Sequence, residues 1–129
     1  MSPADRFARL PDLLDADADL LRRGRWVTVD CRVDIGDQPF FLGLENGALA
    51  AFERGARLMR SSAFTVRGTD EAWSQHWQAV PAPGWHDLFA LTKRGEAVLE
   101  GDLHPFMAHL QYFKDVLALP RHRAVAVVS

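Results

Sequence analysis

The chain has a single cysteine, Cys31, so it can form no internal disulfide, and a reducing compartment suits it. It has no long hydrophobic run. The longest uninterrupted apolar stretches are about five residues, far short of the roughly 20 that a spanning helix needs. Charge of one sign is also missing. With 15 basic and 17 acidic residues the formal net charge is −2, and no basic cluster offers a footprint for a phosphate backbone, so nucleic acid is not an expected partner. The N-terminus has no apolar core behind a basic start, and the C-terminus is not a peroxisomal address. A soluble cytoplasmic protein is the expectation. The frequency of Ala, Arg and Asp is that of a GC-rich bacterial genome.

Catalytic signatures are missing too. Gly-x-Ser-x-Gly is absent, and Ser61-Ser62 lies in a connection with no activating neighbour. No Walker-type lysine follows a glycine cluster, so no phosphate cradle is expected. The five histidines form no HExxH pair and no Cys/His cluster, which leaves no expected metal site and places them at the surface or at helix caps. Cys31 falls on the apolar side of an alternating segment, where a small buried residue belongs. A small enzyme built around His86, Asp87, Asp102 and His104 stands as a minor reading.

What is present is a patterned globular chain, 48% hydrophobic and 25% charged, of a length that supports one core and therefore one domain over 1–129. Residues 1–24 read as a helical cover. Ser2-Pro3 resembles a capped start, Pro11 restarts a helix, Leu13, Leu14, Ala18 and Leu21 approximate a helical stripe, and Gly24 reads as a left-handed cap. From Trp26 to Ile35 the chain alternates, with Val27, Val29, Cys31, Val33 and Ile35 on one face and Thr28, Asp30, Arg32 and Asp34 on the other. Asn46-Gly47 is a hairpin signal between Phe40–Leu44 and Ala48–Arg54, which makes residues 25–55 a three-stranded antiparallel meander.

A fourth strand, with Phe64 and Val66, leads to Thr69, a plausible helix cap followed by Asp70 and Glu71. Trp73 and Trp77 share the face of that helix, and Pro81-Ala82-Pro83-Gly84 breaks it. Trp85, Leu88 and Phe89 give a short helix its apolar face, and Glu96–Glu100 gives a fifth strand. A long helix over Pro105–Leu119 then carries Phe106, Leu110, Phe113 and Leu117 at helical spacing. The tail, 121–129, contains the apolar run Ala124–Val128. The expected fold class is α+β, one mostly antiparallel five-stranded sheet covered by helices.

Three pieces in order resemble a known family. They are Phe41-Leu42-Gly43-Leu44-Glu45-Asn46-Gly47 with its return strand, Ala63-Phe64-Thr65-Val66-Arg67-Gly68 with its capped helix, and Glu96-Ala97-Val98-Leu99-Glu100-Gly101-Asp102 before the last helix. Together they are similar to the sterol-carrier-protein-like lipid-binding domains, in a match running from Leu13 to Leu119. The Pro-rich segment 81–84, followed by Trp85 and His86, departs from that family's pattern. The resemblance implies non-catalytic binding or transfer of a lipid, fatty acyl chain or sterol-like molecule in an apolar tunnel, with no cofactor. Stripe position then points to Trp77, Trp85, Phe89, Phe106, Leu110 and Phe113 as wall or gate residues. A second expectation is a ligand-free interaction module that uses its apolar helix and tail to meet a homodimer partner or an enzyme.

Overall fold

The computed structural model describes residues 2–55 and 61–121. Three short helices come first, α1 (Pro3–Phe7), α2 (Leu10–Asp15) and α3 (Ala18–Arg23), followed by strands β1 (Val29–Ile35), β2 (Gln38–Glu45) and β3 (Ala48–Arg54). Then come β4 (Phe64–Gly68), α4 (Asp70–His76), α5 (Leu88–Lys93), β5 (Ala97–Gly101), α6 (His104–Ala108) and α7 (Leu110–Leu117). The strands form one sheet in the order β3-β2-β1-β4-β5. All neighbours are antiparallel except β1 and β4, so the α+β sheet is mostly antiparallel as the pattern requires.

The meander forms around Asn46-Gly47, both at positive φ (53° and 83°), a pairing whose twist matches that of the strands it joins. Side-chain alternation then fixes the register. Cys31, Val33, Ile35, Phe40, Leu42, Leu44, Phe64 and Val66 enter one contiguous core beneath the helices. The opposite face carries a charged lattice. Arg32 and Arg67 hold the Asp34 carboxylate at 2.7 and 3.2 Å, and Arg67 reaches on to Glu100 at 3.0 Å. Asp34, expected on a solvated face, is buried under these two arginines. The 56–60 connection and the tail beyond Arg121 lie outside the described residues.

Local chemistry sets the helix starts. Ser2 accepts from the Asp5 amide, Asp17 from Leu20 and Thr69 from Ala72, each satisfying a donor that the first turn leaves open. The Asp17 cap also explains why the stripe expected over residues 13–21 does not continue. The helix ends at Asp15 and restarts at Ala18, so the phase resets, Ala18 is exposed and Leu20 is buried.

The long helix expected over Pro105–Leu119 is two helices. His109 (φ −126°, ψ 42°) breaks it, although no proline or glycine is there. Seven residues of straight helix advance about 10.5 Å, yet the rings of Phe106 and Phe113 stack with centroids 5.5 Å apart, both edge-on to Phe64. Aromatic packing thus folds α6 back onto α7. Asp102 supports the start of α6 by accepting from the His104 amide at 3.1 Å. Among the described residues no helix is long and apolar enough to cross a membrane.

Gly24 is the C-cap of α3, but at φ −89° it is not left-handed, contrary to the sequence expectation. It is glycine because the ring of Tyr112 lies where a Cβ would be. Tyr112 in turn donates from its hydroxyl to the Gly47 carbonyl at 2.7 Å, locking α7 to the hairpin. Gly24→Ala therefore overpacks this junction and should cost about 1–3 kcal/mol, read as a thermal midpoint roughly 5–15 °C lower. In a Tyr112→Leu background the same change should cost much less. Equal costs in both backgrounds would remove the steric explanation.

Candidate functional site

Two aromatic clusters fill the space between the helices and the sheet. The first is built on α4, whose positions 72, 73, 76 and 77 form one helical face, all buried. Trp73 and Trp77 stack with centroids 5.2 Å apart, and Trp77 stacks on Phe7 of α1 at 6.0 Å. Phe7 continues the cluster to Phe40 of β2, edge-on at 5.0 Å. Both indole N–H groups are satisfied by backbone carbonyls, Trp73 by Asp34 at 3.0 Å and Trp77 by Leu117 at 2.7 Å. Of the expected wall residues, Trp77 is therefore sealed inside this first cluster.

The second cluster holds three others. Phe106 and Phe113 are buried against Phe64 and the floor of β4, and Phe89 of α5 meets Phe106 edge-on at 6.5 Å. Leu110 packs at its margin, only partly buried. Exposure rises outward from this cluster. Phe106 and Phe113 are 0% and 3% exposed, Phe89 and Leu110 are intermediate, and Met107 is 52% exposed.

Trp85, the sixth expected wall residue, lies in the segment 81–87 between α4 and α5, half-buried, with the Arg94 guanidinium 4.2 Å from its ring centroid. Polar tethers hold this segment down. His76 Nδ1 lies 2.9 Å from the Trp85 carbonyl and 3.3 Å from the Arg121 guanidinium. Arg121 donates to the carbonyls of His76 (2.8 Å) and His86 (3.4 Å). Lys114 of α7 pairs with Asp87 at 2.8 Å, its ammonium 4.7 Å from the Phe89 ring centroid. Burial raises the Asp87 carboxyl, but the bond and charge of Lys114 outweigh it, and the group sits below the ordinary carboxylate value.

Sequence reasoning missed these tethers. His76 was expected at the surface or at a cap and is instead 3% exposed. A signal existed in its place on the Trp73/Trp77 face of α4. Lys114 carries a weaker one, one helical turn after Leu110 on the apolar side of α7.

The thiol and the two carboxylates considered for catalysis are otherwise engaged. Cys31 is buried, and desolvation, with the Asp30 charge adding, pushes its thiol up to about 12, so it is no nucleophile at neutral pH. Asp87 holds Lys114 and Asp102 holds the His104 amide. Among the described residues no group of three His, Cys, Asp or Glu is placed to hold a metal ion. An open hollow of about 340 Å³ lies between Gly36, Arg67, Thr69, Asp70, Glu96 and Val98, and another of about 280 Å³ between α2, α3 and the start of β3. Phe106 and Phe113 line neither of them.

No family model matches the sequence, and no curated protein is significantly similar to it. Solved structures do match. A crystal structure of sterol carrier protein 2 superposes with a TM-score of 0.70 at 12% identity, covering 91% of this chain and 94% of that one. UbiJ-SCP2, described as a ubiquinone synthesis protein, gives 0.58 at 18% identity, over 91% of this chain and 88% of that one. The inverting sec-alkylsulfatase Pisa1 from Pseudomonas sp. gives 0.58 at 23% identity, covering 87% of this chain but only 16% of the enzyme. The fold is therefore that of sterol carrier protein 2, as the strand and hairpin motifs anticipated.

The buried histidine makes a measurable prediction. Burial, reinforced by the Arg121 charge and opposed by the Trp85 carbonyl, lowers His76 from 6.5 to about 4. A histidine lowered on folding binds its proton first in the unfolded chain, so stability is full above about 6.5 and falls as pH drops toward 4. The loss attributable to His76 between pH 7 and 4.5 is on the order of 2 kcal/mol. Denaturant titrations should show wild type losing that much more than His76→Gln over this interval. Parallel pH profiles would refute the assignment.

Proposed function

We propose that this sterol-carrier-type domain is non-catalytic and binds a hydrophobic ligand, a lipid, fatty acyl chain or sterol-like molecule, between α5, α6, α7 and the sheet. The observation that carries this reading is the outward gradient of the second aromatic cluster, from fully buried Phe106 and Phe113 to half-buried Phe89 and Leu110 at its margin. Methionine and phenylalanine also make adaptable, soft-walled sites.

The binding energy would be burial. Each methylene removed from water contributes about 0.8 kcal/mol, so an alkyl chain of moderate length gains enough without any polar contact. Phe89, Phe106, Leu110 and Phe113 would form the wall and Trp85 the rim, with Trp77 supporting them from the neighbouring cluster through its bond to the end of α7. The break at His109 supports the same reading, because it places α6 and α7 on two sides of the Phe106–Phe113 stack.

A second reading, service to an enzyme, is favoured by the sulfatase match, in which a comparable unit makes up 16% of a larger chain. In that arrangement the domain would present an apolar substrate to a catalytic partner, or act as a homodimerising accessory.

Native mass spectrometry of the purified chain should reveal a co-purified lipid-sized mass. Leu110→Trp, which fills the margin of the cluster, should abolish uptake of a fluorescent fatty acid while the thermal midpoint stays within a few degrees of wild type. Undiminished uptake by a folded Leu110→Trp protein would exclude this wall.

A further inference from the structure

Asn46-Gly47, the pair that turns β2 into β3, carries a chemistry that the turn itself does not use. The hairpin needs both residues, since both stand at positive φ (53° and 83°). Gly47 is needed a second time, because a Cβ there would lie 2.5 Å from the Gly24 carbonyl oxygen. In a free peptide the same pair is labile. With no side chain at 47 to hinder it, the Gly47 nitrogen can reach the carboxamide carbon of Asn46, a residue exposed to water. The nitrogen gives up its proton and bonds to Cγ, the Cγ–Nδ2 bond breaks, and ammonia leaves with that proton. Water then opens the five-membered succinimide to aspartate or isoaspartate. No oxidant or reductant enters the balance.

In the folded domain that nitrogen is occupied. The Gly47 N–H donates to the Val27 carbonyl at 2.9 Å, the Gly47 carbonyl accepts from the Tyr112 hydroxyl at 2.7 Å, and the Asn46 amide donates to the Thr28 hydroxyl at 3.1 Å. The segment before β1 and the helix α7 thus grip the turn from two directions. Attack on Cγ needs the Gly47 N–H released and the turn free to rotate, so these bonds must open first. We infer that Asn46 is a deamidation site latched by this clasp and converted to isoaspartate through local opening of the hairpin. Isoaspartate adds a methylene to the main chain between residues 46 and 47. The Gly47 carbonyl then loses its place under Tyr112, and with it goes the bond that locks α7 to the hairpin.

The test uses the full chain at neutral pH, with isoaspartate at residue 46 followed by peptide mapping and Gly47 amide exchange followed by NMR. Unfolded in guanidinium chloride, the chain should form isoaspartate at least about a hundredfold faster than when folded. Tyr112→Phe keeps the ring beside Gly24 and removes the hydroxyl, so isoaspartate formation and Gly47 exchange should both rise about fivefold. Thr69→Ala removes the cap of α4, beyond the end of the sheet opposite the hairpin, and should change both by less than about twofold. Absence of isoaspartate in the unfolded chain would remove the site. A folded wild type that deamidates as fast as the unfolded chain, or a Tyr112→Phe protein no faster than wild type, would overturn the latch. Equal acceleration by Thr69→Ala and Tyr112→Phe would assign the gating to global unfolding and overturn the local clasp.

Discussion

The helical layer is aligned to the sheet by two buried indole N–H groups on one short helix. Trp73 donates to the Asp34 carbonyl in β1, and Trp77, one turn later, donates to the Leu117 carbonyl at the end of α7. A buried donor without a partner costs more than a bond contributes, so α4 has one seating in which both indoles are satisfied. Gly68 makes the first bond possible, because a Cβ there would lie 2.6 Å from the Trp73 nitrogen. From this seating follow the stack on Phe7, the position of His76 beneath Trp85, and the line of α7 along which Phe113 and Lys114 are carried.

The two aromatic clusters divide the work between them. The first is closed, with both tryptophans and Phe7 fully buried and its polar atoms paired. The second thins toward the surface and meets its charged groups at the edge, Lys114 with Asp87, instead of in the interior. Above the second cluster the helical layer is interrupted at His109.

Much of the fold was legible because strand alternation and turn chemistry are local. The meander, the Asn46-Gly47 hairpin, the Ser2 and Thr69 caps and the five strands followed from period and residue type. The break at His109 was not legible. Neither proline nor glycine marks it, and its cause is a contact between Phe106, Phe113 and the distant Phe64. The stripe of aromatics named a face but not a depth, so Trp77 could not be distinguished from Phe89 even though the two enter different clusters. His76 and Asp34 were misread as solvated for a related reason. Their partners, the Trp85 carbonyl and the guanidinium of Arg67, are supplied by other segments of the chain.

The Arg6 guanidinium donates to the Trp77 carbonyl at 3.1 Å and to the Pro120 carbonyl at 3.0 Å. One guanidinium of α1 thus fastens the end of α4 and the segment after α7 together, so three stretches far apart in sequence share a single donor and none of them can shift without leaving a carbonyl of another unanswered.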